Sequence, residues 1–341
     1  MRNELAMEGD EVMDYGGATP LAAGINLFNC AVGAGVLSLP GAFQNMGLGL
    51  ALGAFFLLGV LALYSLNTIV SDGNVVGAKS YDALVYRLFG RKVMVAFQVV
   101  VILYTFGVCV GYVIIIGDLL PELFQNWAGI NKYESSGWFF TPEVIELLVV
   151  VFFLAPLSSL SRIDNLKYAS SFAVLGVMYF TVVTIVKDVE FIQSPSFKNE
   201  KVVWAEGGSG FFRGIPIIAF ALGGHVQCVS VYHELKPRHR TQHTFLLISS
   251  AMVSVLSIIY LLVSVLSYLQ FLPNNGNILK AMLEEYPGEV SIEISSLMMS
   301  LVVIFSYPLL SFPLRLSIED IIFKGKTPTK GRIAITVAIL F

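Results

Sequence analysis

Charge is scarce in this chain. Of 341 residues only 13% are Asp, Glu, Lys or Arg, about half the share usual in water-soluble domains, while 56% are apolar. The shortage excludes a disordered polymer and a water-soluble enzyme. A net charge of -3 without a clustered basic face excludes nucleic acid as a partner. Cysteine is also rare: Cys30, Cys109 and Cys228 all lie in apolar runs without a CxxC pair, so they read as small buried hydrophobes rather than a disulfide framework. The 30 Gly and 13 Pro are scattered, which excludes collagen-like and low-complexity architectures.

Catalytic signatures are missing too. The chain has no HExxH, GxSxG, GxxxxGK[ST] or complete GxGxxG, only a fragment at Gly208 and Gly210. His233 and Glu234 are adjacent rather than a helical turn apart, and His239 and His243 lie near a basic loop, so no metal centre is expected and these histidines read as solvated. No enzyme activity and no organic cofactor are expected. No N-x-[ST] sequon is present, and residues 1–19 carry Glu4, Glu8, Asp10, Glu11 and Asp14 where a cleavable leader would be basic and then apolar.

What the chain has in abundance is long apolar runs, with a mean hydropathy of +0.76. Spanning a bilayer takes about 20 mostly apolar residues. Eight runs qualify: Leu21 to Phe43, Gly47 to Val70, Val93 to Ile116, Val144 to Leu160, Tyr168 to Val186, Phe211 to Val231, Thr244 to Leu272 and Ile292 to Leu314. A ninth begins at Ile333 and is cut off at Phe341. The expected class is an all-α polytopic membrane protein in a lipid bilayer: a cytosolic segment over residues 1–19, then a transmembrane unit over 20–341. Threading the runs with the N-terminus cytosolic puts all Lys and Arg on the cytosolic side except Lys132, Lys187, Lys198, Lys201, Arg213 and Lys280, the bias that sets orientation. Tyr81, Leu84, Val85, Leu88 and Phe89 repeat at helical spacing and predict an amphipathic helix on the cytosolic interface.

Two runs are interrupted where lipid favours an unbroken helix. The first carries Gly33-Ala34-Gly35 near its middle, preceded by Asn26 and Asn29; the sixth carries Gly223-Gly224 followed by His225. Such glycines serve close helix packing or local unwinding. Unwound turns free N–H groups at half-helix N-termini for a carboxylate and carbonyls for an ammonium, which suits a zwitterion. Two interruptions five runs apart point to an inverted repeat. His225 is the only ionisable group deep in any run, with Asp118, Glu146 and Glu293 near run ends. The expected substrate-contacting residues are Asn29, Val32, Gly33, Ala34, Gly35, Gly223, Gly224 and His225, with Phe106, Tyr112 and Phe220 as candidate walls. Asn29 and Ser306 are candidate ion ligands. Gly49 and Gly53 form a GxxxG read as helix packing, and Pro40, Pro156, Pro308 and Pro313 are expected at or near helix ends.

These stretches resemble the amino acid/auxin permease family, which includes vacuolar and system A and N type amino acid transporters. The likeness rests on Asn26-Leu-Phe-Asn29-Cys-Ala-Val-Gly33-Ala-Gly35-Val-Leu-Ser-Leu-Pro40, Ser80-Tyr81-Asp-Ala-Leu, Arg87-Leu-Phe-Gly90, Ile116-Gly117-Asp118-Leu-Leu-Pro121, Pro156-Leu-Ser-Ser-Leu, the stretch His225 to Lys236, and Ser306-Tyr-Pro308-Leu-Leu-Ser-Phe-Pro313. The resemblance implies eleven spans in a five-plus-five leucine-transporter-type repeat with discontinuous helices one and six. It also implies secondary active transport of amino acids by alternating access, coupled to protons or sodium. It matches Asn29 to a position handling sodium and substrate, residues 32–35 to the unwound turn, and Ser306 to an ion-site region on span eight. Ser230 stands where many members have Pro, and Ile304 where sodium-coupled relatives often have Thr, which favours protons. Spans ten and eleven are not in the chain, so an inactive truncated carrier is one alternative. A non-transporting amino acid sensor is another.

Overall fold

Helix, and almost nothing else, is what an apolar chain can form where no water satisfies the backbone, and the computed structural model shows that outcome. The structure describes residues 17–32, 35–129, 141–158, 167–194, 202–271 and 277–323, with Ile335 and Ile339. In order these form α1 (Pro20–Ala31), α2 (Gly35–Met46), α3 (Leu48–Val76), α4 (Tyr81–Phe89), α5 (Arg91–Ala128), α6 (Pro142–Val149) and, after a π turn at Val150–Leu154, α7 (Ala155–Ser158). There follow α8 (Lys167–Gln193), α9 (Ser209–Ala221), α10 (His225–Glu234), α11 (Gln242–Gln270), α12 (Ile278–Glu285) and α13 (Val290–Phe323). Among the described residues the sole β pairing is an isolated bridge between Ala18 and Leu235.

Among the described residues six stretches are long and apolar enough to cross a membrane: Leu48–Val76, Arg91–Ala128, Phe172–Gln193, Ser209–Glu234 (itself divided between α9 and α10), Gln242–Gln270 and Val290–Pro308. They coincide with six of the eight runs. The other two differ in form. The first run is two helices of 12 residues each, neither able to span alone. The fourth changes winding at the π turn. The nine-residue run from Ile333 lies, apart from Ile335 and Ile339, outside the described residues, as do residues 1–16. Large apolar side chains face outward along these helices, among them Phe56, Tyr64, Leu103, Phe152 and Leu175. In water this surface would drive aggregation; against acyl chains it is the expected exterior.

The interior is organised around α11, which packs on α1, α2, α3 and α8, and around α13, which packs on α5 and α8. Small residues let these helices close up. A Cβ at Gly176 would lie 2.7 Å from Val302 Cγ2, so α8 and α13 touch nearly backbone to side chain. Ser296 and Ser300, both buried, donate to the carbonyls of Ile292 and Ser296 on their own helix and need no outside partner. The amphipathic helix forms as expected: Ser80 caps α4 by accepting from Ala83 N–H, Leu84 and Val85 are buried, and Leu88 and Phe89 stay exposed.

Two packing expectations are corrected. Gly49 does make a close contact, but with the backbone of Trp204 in the loop before α9, and Gly53 has nothing within 4 Å of a built Cβ. Among the described residues the GxxxG therefore does not join two helices. Pro40, Pro308 and Pro313 lie inside helices rather than at their ends; neighbouring helices tolerate the lost bonds.

Gly47 joins α2 to α3 with φ +78°, and a Cβ there would sit 2.9 Å from both Ala205 N and Val203 O. Strain and collision act together, so Gly47→Ala is expected to destabilise the folded protein by about 1–3 kcal/mol. Gly53→Ala should leave the thermal midpoint unchanged or slightly raised. Thermal unfolding of both variants in detergent checks the contrast.

Candidate functional site

Each interrupted run becomes two half-helices. α1 ends at Ala31, Val32 turns extended with ψ 117°, and α2 starts at Gly35. α9 ends at Ala221, Leu222 leaves helical geometry, and α10 starts at His225. Each break therefore presents one helix C-terminus and one N-terminus, with negative and positive partial charge respectively.

The two breaks meet. A Cβ at Gly35 would lie 3.0 Å from Ala221 Cα and 3.1 Å from Ala221 Cβ, and one at Gly224 would lie 3.8 Å from Ala31 Cβ. The first half of each broken helix thus approaches the second half of the other. α2 and α9 run together from this point to their far ends, where a Cβ at Gly210 would strike the Asn45 carbonyl. α1 and α10 pair at the opposite side. There Asn26 Nδ2 donates to Glu234 Oε2 at 2.8 Å, Ala18 N–H donates to Glu234 O at 2.9 Å, and Lys236 N–H donates to Ala18 O at 3.1 Å.

Backbone groups freed at the breaks are partly satisfied. Tyr260, fully buried on α11, donates its hydroxyl to Ala31 O at 3.3 Å. Gly223 N–H closes a tight turn onto Phe220 O at 3.0 Å, and Val32 N–H reaches Phe28 O at 2.6 Å. Asn29 lies in the last turn of α1, and its Oδ1 is buried with no hydrogen-bond partner. A buried, unmatched amide oxygen costs free energy and marks a place where a donor or cation would be welcome.

His225, half-buried, opens α10, and its Nε2 lies 2.8 Å from Ser65 Oγ. That hydroxyl already donates within α3 to Leu61 or Ala62 O, so the imidazole is held against α3 rather than left loose in the break. Cys228 Sγ turns back onto His225 O at 3.0 Å. Of the candidate walls, Phe220 flanks the break and packs against Tyr104 at 6.3 Å between ring centroids. Tyr112 is buried and Phe106 is exposed.

The structure thus brings Val32, Gly35, Gly223, Gly224 and His225 to one place, with Asn29 one turn away. Gly33 and Ala34 fall outside the described residues. Ser306 lies on α13, and no described contact joins it to Asn29. Sequence reasoning missed three participants. Tyr260, Tyr104 and Ser65 sit in otherwise uniform apolar helices, and no local pattern singles out a tyrosine or serine that faces a break. His233, expected to be solvated, instead bonds through Nε2 to Ala78 O at 3.0 Å, because α10 runs close to the end of α3. Among the described residues no group of three or more His, Cys, Asp or Glu could hold a metal ion.

This constellation lies in a helical membrane protein, and the comparisons with known proteins give its family. Residues 16–341 match the family model described as transmembrane amino acid transporter protein, and the chain belongs to that family. It is a multi-pass integral membrane protein, and its relatives are transporters rather than enzymes. It is similar to vacuolar amino acid transporter 6 of Saccharomyces cerevisiae, with 29% identity over 87% of this chain and 65% of that protein. It is also similar to amino acid transporter AVT6E of Arabidopsis thaliana, with 25% identity over 92% and 66%. A third relative is sodium-coupled neutral amino acid transporter 7 of Rattus norvegicus, with 27% identity over 93% and 68%. The chain therefore spans about two thirds of the length of these relatives.

Removing the Tyr260 hydroxyl leaves the Ala31 carbonyl without its donor. Tyr260→Phe is expected to cost about 1 kcal/mol of stability, read as a lower thermal unfolding midpoint at unchanged expression.

Proposed function

We propose that this protein carries amino acids across a membrane by alternating access, coupled to protons or sodium. The observation that carries the reading is the meeting of two broken helices, Gly35 against Ala221 and Gly224 beside Ala31. An amino acid is a zwitterion of compact polar ends. The N-termini of α2 and α10 suit its carboxylate, while the C-termini of α1 and α9 and Asn29 Oδ1 suit its ammonium. Residues 32–35, Gly223, Gly224 and His225 then contact substrate chiefly through backbone, which recognises the part common to all amino acids. The side chain of the substrate is left to flanking groups such as Phe220 and Tyr104.

A five-plus-five inverted repeat is supported by order and length. The first and sixth apolar runs are the broken ones, and the helix after each, α3 and α11, has 29 residues. In this reading α1 and α10 swing against a scaffold that includes α5, α8 and α13. In the same reading the Asn26–Glu234 bond and the Ala18 bridge tie together the ends of α1 and α10 that face the cytosol. Asn29 remains the first candidate for the coupling ion and Ser306 the second. The family name and the printed names of the relatives support amino acids as substrates.

Uptake of radiolabelled amino acids into vesicles holding the purified chain, with sodium and pH gradients imposed separately, tests this. Uptake is expected with one of the two gradients. Gly35→Val, which forces a branched side chain into Ala221, should lower uptake by ~10-fold or more, equivalent to ~1.4 kcal/mol, with insertion into the membrane retained. Saturable binding of an amino acid without uptake under either gradient would replace transport with a sensing role.

A further inference from the structure

Asp188 is a carboxylate with nowhere to put its charge. It lies near the end of α8, its side chain is fully buried, and its Oδ2 accepts from the Ser267 hydroxyl on α11 at 2.8 Å. Its Oδ1 is buried with no hydrogen-bond partner. Two further buried oxygens on α11 are also unmatched: Ser264 Oγ, one turn before Ser267, and Gln270 Oε1, one turn after it. Ser264, Ser267 and Gln270 follow a three-residue spacing and so share one helix face, the face that Ser267 turns toward α8.

Among the described residues, no nearby cation is seen to supply the missing charge. The adjacent Lys187 is turned to Glu190 at 3.1 Å and Glu289 at 3.3 Å, where its ammonium holds the Glu289 carboxyl below the usual carboxylate range. Lys280 on α12 is paired with Asp118 at 3.1 Å. Of the other titratable groups around this end of α8, Tyr286 accepts from Gln270 Nε2 at 2.7 Å and feels Asp188, Glu285 and Lys187 electrostatically. Glu293 on α13 accepts from Trp127 at 3.0 Å, and Tyr268 on α11 is bonded to Val203. An ionised carboxylate buried this way, half-matched and uncompensated, is among the costliest arrangements a protein can hold. A proton or a metal cation removes the cost.

We propose that Asp188, with Ser264, Ser267 and Gln270, forms a monovalent cation site between α8 and α11, separate from the helix breaks. The set offers a carboxylate, two hydroxyls and an amide carbonyl, hard oxygen donors of the type that suits sodium and equally suits a carboxyl proton shared with an amide. The site does not depend on the transport reading, and its test does not use uptake.

Thermal unfolding of the full chain in detergent, at matched ionic strength in sodium or choline chloride and from about pH 5 to pH 8, reads occupancy directly. A cation bound only by the folded state raises the midpoint by roughly 2–4 °C at saturation. A sodium-specific rise at fixed pH identifies sodium; a rise on acidification in choline identifies the proton. Asp188→Asn should abolish whichever dependence is seen and raise the cation-free baseline, because the amide is neutral. Ser264→Ala and Gln270→Leu, which leave the carboxylate in place, should each shift half-saturation by ~10-fold. A wild-type midpoint indifferent to both ions, or a dependence that persists unchanged in Asp188→Asn, overturns the proposal. Should Asp188→Asn fail to fold, unchanged half-saturation in the other two variants overturns it instead.

Discussion

Inside a bilayer a peptide group that loses its helical partner finds no water to replace it, and each orphaned N–H or C=O costs several kcal/mol. That constraint governs this molecule. It makes nearly every described element a helix, and it makes the two interruptions expensive unless something else holds them open. The structure answers with particular contacts: Tyr260 on the Ala31 carbonyl, the tight turn from Gly223 to Phe220, and the approach of Gly35 to Ala221 that sets the breaks side by side. What remains unmatched there is directional, with N–H groups at two N-termini and acceptors at two C-termini. A ligand bearing both charges can complete both.

The same constraint explains how the rest of the bundle treats polarity. Buried serines on α13 satisfy themselves by bonding back along their own helix. Small residues such as Gly176 let helices approach until dispersion contacts replace the hydrophobic drive that lipid removes. Some buried polar atoms stay unmatched, Gln44 Oε1, Asn67 Oδ1 and Ser295 Oγ among them; Asn29 Oδ1 differs in lying at a helix break, and Asp188 in being a carboxylate.

Most of the architecture was legible because bilayer crossing leaves a signal in single stretches of chain. Five of the eight apolar runs returned as long continuous helices, and the amphipathic α4 followed its heptad-like spacing. The Gly-Ala-Gly and Gly-Gly interruptions lie where helices one and six divide. Misreadings came where a local pattern had no unique partner. The GxxxG of α3 looks the same whether a helix, a loop or lipid lies against it, and here Gly49 meets the loop before α9 while Gly53 meets nothing. The fifth apolar run ends at Val186, yet the helix continues to Gln193 and buries Asp188. His233 read as solvated because the carbonyl it binds, Ala78, lies far away in the chain.

By itself, then, the order of residues determined which segments leave water and where their helices can break. These depend on transfer energies and backbone propensities that each segment carries alone. Only the tertiary structure decided that the breaks adjoin, that Tyr260 rather than another hydroxyl serves one of them, and that Asp188 is shut away with unmatched oxygens. Those outcomes depend on which helix faces lie together across long separations in the chain, and a face in an almost uniformly apolar helix has no periodicity to announce its neighbour.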